Sequence, residues 1–181
     1  MVMLSNYRIN MGTDPDFDNP TLLTEKLNWM KLYDHRPEYT TMADKYAVKQ
    51  YVTEKAGAQY VLPVLGVWDH FDEIDFDALP DQFVLKCTHD SGGLVVCRDK
   101  GSFDKAAARA KLEHCLSTNY YLLRREWVYK NIPPRIIAEP YIDSLGKPNS
   151  IEYKLTCFDG KVKMITVCRG IAHSSLDVRT N

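Results

Sequence analysis

The sequence predicts an α+β fold, in which helices and antiparallel strands occupy mostly separate parts of the chain. Three observations support this class. Helical patterns dominate the chain up to about residue 57, and an alanine-rich helical pattern returns near residues 103–125. The other stretches alternate apolar and polar residues, as antiparallel strands do.

The first predicted helix covers residues 21–34, where apolar residues recur at helical intervals behind a start that resembles a capping box. These apolar residues are Leu23, Leu27, Met30 and Tyr33. We expect this stripe to face the core.

Two further helices are predicted. One runs from Thr41, which forms a capping-box-like pair with Asp44, to Gly57, a natural C-terminal stop. The other begins with Ser102 as its N-cap and continues through an alanine-rich run to about Tyr121.

The strands are predicted in four places. Residues 61–82 form a short strand, a loop and a one-turn helix, and residues 83–97 form a hairpin. RIIAEPYID, residues 135–143, is a strand with Pro140 at a sheet edge or at the strand end, because proline has no N–H. A second hairpin follows from residue 151, with Asp159-Gly160 as its turn.

Composition excludes several classes of protein. A chain of 181 residues with 45% hydrophobic content can bury one sizeable core or two small lobes. A net charge of −1 provides no general attraction for nucleic acid or an anionic membrane. There is no apolar run of roughly 20 residues and no signal-peptide pattern at the N-terminus. We expect a cytoplasmic protein with no nucleic-acid partner and no transmembrane segment.

The five cysteines form no CxxC motif and no pattern with zinc spacing, and their odd number argues against a disulfide framework. We expect reduced, mostly buried thiols and no metal site. Cys87, beside a glycine-rich loop, is more typical of a buried thiol than of a nucleophile.

Lys86 is the unusual member of its strand. Phe83, Leu85 and Cys87 share one face of FVLKCT, and Lys86 lies on the other. A buried, unpaired ammonium is costly, so Lys86 requires a carboxylate, a water-filled cleft or an anionic ligand. The loop Asp90-Ser91-Gly92-Gly93 can bring backbone N–H groups to a small anion, which favours a phosphate. The alternative is a solvated lysine before an ordinary hairpin turn.

The end of the predicted strand 135–143 offers a second clue. Pro140 keeps its carbonyl and Ile142 keeps its N–H, so an acceptor and a donor stand two residues apart, which matches an adenine edge. A plain edge strand closed by Pro140 is the alternative.

Four stretches of the chain occur in an ordered series: LTEKLNWMKLYDHRPEYTTMADKYAVKQYV, LPVLGVWDHFDEIDFDALPDQFVLKCTHDSGG, TNYYLLRREWVYKNIPPRIIAEPYID and YKLTCFDGKVKMI. Together they resemble the TupA-like ATP-grasp proteins of teichuronopeptide biosynthesis, which are often labelled glycosyltransferases in surface-polysaccharide gene clusters. The resemblance covers about residues 20–170.

This resemblance implies a nucleotide cleft between two small α+β lobes. It implies ATP and Mg²⁺ as cofactors, and a small carboxylate with an amine or saccharide acceptor as further partners. The expected reaction is ATP-dependent carboxylate–amine ligation through an acyl phosphate, in cell-surface polysaccharide or peptide-polymer biosynthesis. The implied domains are an N-terminal helical region over 1–80, an ATP-grasp N-lobe over 81–137, and the start of an incomplete C-lobe over 138–181.

The resemblance also implies roles for individual residues. The cofactor-binding set is Lys45, Lys86, His89, Ser91, Gly92, Gly93, Glu139, Pro140, Tyr141, Ile142, Glu152 and Lys154. Lys45 and Lys86 are expected on the phosphates of ATP, the loop 89–93 over them, the segment 138–142 on adenine, and Glu152 on the ribose. Lys86 and Arg169 are the expected catalytic cations.

Several of these roles have plainer alternatives. Lys45 is then an exposed helix lysine, and Glu152 and Lys154 form a surface ion pair. His89 then has a hydrogen-bonding role in the loop instead of transferring protons. A basic cluster of Arg124, Arg125 and Arg135 is either a solvated helix end or a site for an anionic acceptor.

The ligands for Mg²⁺ are the missing part of this pattern. Mg²⁺ binds carboxylates together with phosphate oxygens, and after Arg169 the sequence has Asp177 as its only carboxylate. We therefore expect the metal ligands to be absent from this chain. A non-catalytic remnant that binds nucleotide or a partner is one alternative to the ligase, and a glycosyltransferase is another.

Overall fold

The computed structural model describes residues 2–142 and 150–169, and it confirms the predicted α+β class. The chain divides into two compact units, Met1–Tyr141 and Ile142–Asn181. Asp177 and the side chain of Arg124 lie outside the described residues. The domain boundaries after residues 80 and 137 remain predictions.

The described part of the first unit contains six α-helices. They are α1 (Val2–Met11), α2 (Leu23–Tyr33), α3 (Pro37–Ala43), α4 (Ala47–Ala56), α5 (Lys105–Leu116) and α6 (Tyr120–Arg124). Short 3₁₀ turns occur at Ala58–Tyr60, Phe71–Glu73, Lys100–Ser102 and Trp127–Tyr129. The turn at Phe71–Glu73 matches the predicted one-turn helix.

Four antiparallel strands of this unit form a sheet in the order β1-β4-β2-β3. They are β1 (Gly66–Trp68), β2 (Phe83–Cys87), β3 (Leu94–Cys97) and β4 (Ile136–Pro140). In the centre, Leu85 lies opposite Val95 on β3 and Ala138 on β4. The predicted hairpin over residues 83–97 is confirmed.

The core lies against the apolar face of β2, where Phe83, Leu85 and Cys87 are all fully buried. Helix α5 covers this face with Ala108 and Leu112, which are also buried. A group of aromatic rings closes one side of the core, formed by Phe71, Phe76, Phe83 and Phe103. The alternation along β2 therefore directs one face into this core and Lys86 to the other face.

The single helix predicted from Thr41 to Gly57 is wrong. Thr41 lies inside α3, and the chain turns at Asp44 before α4 begins. The Asp44 carboxylate accepts hydrogen bonds from the backbone N–H groups of Tyr46 and Ala47, at 2.8 and 3.3 Å. Asp44 therefore caps the start of α4 and does not complete a capping box with Thr41. Gly57 ends α4 with a φ of +110°, as expected.

The cap predicted for the alanine-rich helix is also wrong. Asp104 is the N-cap of α5, and its carboxylate accepts from Ala107 N at 2.9 Å. Ser102 instead belongs to the preceding 3₁₀ turn and donates to Asp99. The helix stops at Leu116, and α6 starts separately behind an Asn119 cap.

The apolar stripe of α2 does not face the core. Its members are 42–59% exposed: Leu23, Leu27, Met30 and Tyr33. The buried residue of this helix is Glu25, whose carboxylate accepts from the backbone N–H groups of Asp16, Thr21 and Leu22 at 2.9–3.2 Å. These bonds satisfy the free N–H groups at the helix start, so a charged residue takes the buried position.

Helix α1 lies in a stretch that the sequence presents as polar and irregular. It buries Met3 and Tyr7, which are 7% and 5% exposed and stand four residues apart. Two apolar positions are too few to produce a helical period, so sequence reasoning missed it.

Pro140 is the last residue of an internal strand. Strand β4 lies between β1 and β2, which excludes the sheet-edge alternative. Pairing with β1 ends where Ala138 meets Gly66, while β2 continues to Phe83 opposite Pro140. The missing N–H of Pro140 therefore falls where β4 has a neighbour on one side only.

The described part of the second unit is a hairpin of β5 (Ile151–Phe158) and β6 (Lys161–Arg169). Its turn residues Asp159 and Gly160 have φ values of +49° and +69°, which confirms the predicted Asp-Gly turn. Within residues 2–142 and 150–169, no helix combines the length and apolar character that a membrane span requires.

Candidate functional site

A cluster of charged side chains lies on the face of the sheet opposite the α5 core. Lys86 on β2 and Glu139 on β4 are diagonal neighbours, because Lys86 is directly opposite Ile137, two residues before Glu139. The Lys86 Nζ donates to Glu139 Oε2 at 2.5 Å. Of the three partners that the sequence allowed for Lys86, the structure therefore supplies a carboxylate.

The same carboxylate holds a second lysine that sequence reasoning did not select. Lys49, in the first turn of α4, places its Nζ 2.5 Å from Glu139 Oε1. It also donates to the backbone carbonyl of Leu62 at 2.8 Å. Lys49 was missed because it lies in the middle of the helix predicted from Thr41 to Gly57, where a lysine has the pattern of an ordinary surface residue.

Glu139 is ionised in spite of its burial. Its side chain is 6% exposed, and burial alone acts to raise its pKa. The hydrogen bonds and charges of Lys49 and Lys86 outweigh this effect, so the pKa of Glu139 lies below its ordinary value. The carboxylate is thus a fixed anion shared by two ammonium groups.

Lys45 holds the loop that follows β2. Its Nζ donates to the carbonyl of Cys87 at 2.8 Å and to the carbonyl of Asp90, and lies 3.4 Å from Asp90 Oδ1. Its backbone N–H donates to Thr88 O at 3.1 Å. The alternative of a purely solvated helix lysine is therefore wrong, and Lys45 ties the start of α4 to the glycine loop.

The glycine loop is organised around the Asp90 carboxylate, which is buried and accepts the Gly93 N–H at 2.8 Å. A Cβ on Gly93 would overlap that carboxylate. Gly92 has a φ of +130°, which favours glycine. Ser91 and Gly92 are exposed at the loop tip.

His89 is 3% exposed and points into the protein. Its Nε2 lies 3.1 Å from Cys115 O and 3.2 Å from Thr118 O, at the C-terminal end of α5. Among the described residues its Nδ1 has no hydrogen-bond partner. These contacts support the alternative in which His89 fixes the loop, and they give no direct path to a ligand.

Two thiols lie beside the loop. One donor atom each from Cys87, Asp90 and Cys115 lies within 4.8 Å of the other two. Burial raises the pKa of Cys87 to about 12, and burial followed by the hydrogen bond with Asp90 raises that of Cys115. Both are protonated at neutral pH, so Cys87 is a poor nucleophile, as expected. Lys45 and the Gly93 N–H already occupy the Asp90 oxygens, so the donor set does not favour a metal ion.

Arg135 does not belong to a free basic cluster. Its Nη2 donates to the buried carboxylate of Asp44 at 2.9 Å, and its guanidinium lies 4.8 Å from the centre of the Tyr46 ring. Asp44 thereby joins the start of β4 to the start of α4. Asp44 and Tyr46 thus hold Arg135 beside the start of α4, and its role toward an anionic acceptor stays a prediction.

The remaining predicted residues lie at the end of β4 and in the second unit. Pro140 and Tyr141 are half-buried at the end of β4, and the Arg98 guanidinium lies 5.8 Å from the Tyr141 ring centre. Ile142 and the hairpin belong to the second unit. There Glu152 and Lys154 form an exposed ion pair at 3.8 Å, and Arg169 is exposed. Their roles toward ATP stay predictions.

Comparison with known protein families gives a match over most of this chain. The model of the family described as TupA-like ATPgrasp matches residues 25–173. The chain belongs to the TupA-like ATP-grasp family. Proteins with the ATP-grasp fold generally bind ATP and Mg²⁺, and the fold is that of ATP-dependent ligases. A search of curated proteins and a search of solved structures each found no match.

Proposed function

We propose that this TupA-like ATP-grasp chain binds ATP, with Lys86 and the backbone of the 89–93 loop on the phosphates. The observation that carries the proposal is the position of Lys86. Its side chain is 32% exposed, its direction is fixed by Glu139, and that carboxylate is already shared with a second ammonium group. The pair of lysines therefore keeps a net positive charge beside the glycine loop, which suits a polyphosphate.

The described residues fit ATP better than they fit Mg²⁺. Each buried carboxylate of the site already accepts from a cationic side chain: Asp44 from Arg135, Asp90 from Lys45, and Glu139 from two lysines. The absence of the metal ligands from this chain stays a prediction. We assign no described residue to Mg²⁺.

We further propose that the reaction is carboxylate–amine ligation in cell-surface polymer biosynthesis. The substrate carboxylate would take the γ-phosphoryl group of ATP with release of ADP, and the amine would then attack the acyl carbon with release of inorganic phosphate. Lys86 neutralises charge on the phosphate oxygens. Lys45, by holding the Cys87 and Asp90 carbonyls, keeps the loop N–H groups in position to donate to them.

Two measurements test these proposals. Calorimetry of the chain with ATP, with and without Mg²⁺, tests binding, and Lys86→Met is expected to weaken it at least about tenfold. Lys26→Met, at an exposed position of α2, is the control. ADP release that depends on an added uronate and amino acid tests ligation. Absence of ATP binding in the wild-type chain contradicts the whole proposal.

A second candidate function is nucleotide binding without turnover. The observation that favours it is the engagement of the three buried carboxylates described above. Metal-independent ATP binding without ADP release supports this candidate over the ligase. Consumption of a UDP-sugar in the same assay points instead to glycosyl transfer.

A further inference from the structure

Lys49 holds a position that a purely structural ion pair does not explain. It stands four residues after Lys45, the lysine at the entry of α4, and its side chain is only 15% exposed. It reaches Glu139 on β4, the same carboxylate that Lys86 reaches from β2. Three separate elements of the fold therefore meet at one carboxylate.

The charges at this meeting point do not balance. Elsewhere in the site each acid has one cation, since Lys45 pairs with Asp90 and Arg135 pairs with Asp44. At Glu139 two ammonium groups share one carboxylate. Within the described residues it is the only acidic group within 4.0 Å of either lysine. Two ammonium groups held close together repel each other, and an additional anion bound there relieves this repulsion.

The hydrogen-bond donors of the two lysines lead to the same conclusion. Each ammonium carries three N–H donors. Lys86 uses one on Glu139, and Lys49 uses one on Glu139 and one on the Leu62 carbonyl. In the described part of the chain, three donors thus have no protein acceptor. Glu139 holds one lysine on each oxygen, so these donors are kept close together by a rigid spacer.

We propose that Lys49 is a phosphate-binding residue that acts together with Lys86, and that Glu139 positions both ammonium groups on the polyphosphate of the nucleotide. This inference rests on the proposed ATP binding. It assigns the affinity for the phosphate chain to two lysines from different elements, one on α4 and one on β2. Glu139 is a positioning residue, because it acts on the ligand only through the lysines.

Calorimetry with ATP and with inorganic tripolyphosphate tests this assignment. Lys49→Met is expected to weaken binding of both at least about tenfold, and Lys49→Arg is expected to restore most of the affinity because it keeps the charge. Lys55→Met is the matched control, since Lys55 lies on the same helix, is exposed and contacts only the Tyr51 ring among the described residues. It is expected to bind like the wild type.

A second measurement uses the wild-type chain and does not depend on the variant folding. Amine-selective acetylation, followed by peptide mass spectrometry, reports the reactivity of each lysine. Saturating tripolyphosphate is expected to protect Lys49 and Lys86 at least about fivefold and to leave Lys55 unprotected, in line with loss of access on binding.

The outcomes separate this inference from the proposed function. If the wild type binds ATP but Lys49→Met binds equally well, or if Lys49 is not protected, Lys49 has no phosphate role and the proposed function stands. If the wild type binds neither ATP nor tripolyphosphate, both are overturned. Weaker binding that Lys49→Arg fails to restore, without protection of Lys49, indicates a structural role and also overturns the inference.

Discussion

Replacement of Glu139 by glutamine removes the negative charge at the centre of the lysine cluster and nearly preserves the side-chain volume. Lys49 and Lys86, whose side chains are 15% and 32% exposed, then lie next to each other without a counter-charge. We expect a large loss in the free energy of unfolding, because each lysine keeps its desolvation cost and gains repulsion from the other.

The magnitude follows from the burial. Removing one partner of a fully buried ion pair costs about 3–5 kcal/mol. The partial exposure of Lys86 allows water to screen part of the repulsion, so we expect about 3 kcal/mol, at the low end of that range. For a chain of this size, that loss lowers the thermal midpoint by roughly 6–12 °C. Urea denaturation at pH 7 measures the free energy directly.

The effect also has a defined pH dependence. The folded-state pKa of Glu139 lies below its ordinary value of 4.5. Its ionic contribution is therefore present above pH 4.5 and is lost as the pH falls through the lower, folded-state pKa. The difference in unfolding free energy between the wild type and Glu139→Gln is expected to be constant near neutral pH and to shrink in acid.

Two further variants decide whether charge is the cause. Combining Glu139→Gln with Lys49→Met and Lys86→Met removes all three charges and is expected to recover much of the lost stability. Glu38→Gln, at an exposed site of α3, is expected to cause no measurable change. A loss below about 0.5 kcal/mol for Glu139→Gln, or no recovery in the triple variant, would refute the argument from shared charge.

Three other results are expected. Gly93→Ala lowers the free energy of unfolding by about 1–3 kcal/mol in urea melts, because the added methyl group displaces the Asp90 carboxylate that accepts the Gly93 N–H. Gly101→Ala is the control and changes this free energy little, because its Cβ has room. Iodoacetamide at pH 8 alkylates the exposed Cys157 readily and leaves Cys87 of the native protein unmodified, as measured by mass spectrometry. The reason is that the pKa of Cys87 is about 12, so roughly one Cys87 in ten thousand is a thiolate at this pH. Asp104→Ala removes the α5 cap and costs about 1 kcal/mol in the same melts, and an unchanged midpoint would contradict the cap assignment.

Local patterns predicted the strands well. Three features each depend on the backbone conformation of only a few neighbouring residues: the alternation in residues 83–88, the Asp-Gly turn and the proline at the end of β4. The structure confirms the hairpin over residues 83–97, the Asp159-Gly160 turn and Pro140 as the last residue of β4. The glycine loop was located for the same reason, because its glycines allow a turn with positive φ, which Gly92 adopts.

Helix boundaries and burial were predicted less well. Asp44 was assigned to a box with Thr41, but its carboxylate accepts from the N–H groups of Tyr46 and Ala47 and pairs with Arg135, which is 91 residues away in the sequence. The stripe of α2 has the helical period of a core-facing surface. Periodicity identifies an apolar face and does not identify what covers it.

The sequence by itself determined the α+β class, the two hairpins, the family resemblance and the identity of Lys86 as a lysine that needs a partner. Only the tertiary structure decided which partner that is. Glu139 and Lys49 lie 53 and 37 residues from Lys86 along the chain. A pattern carries information over the few residues of one helix or strand, whereas a shared carboxylate depends on how α4, β2 and β4 pack, and packing is a property of the whole unit.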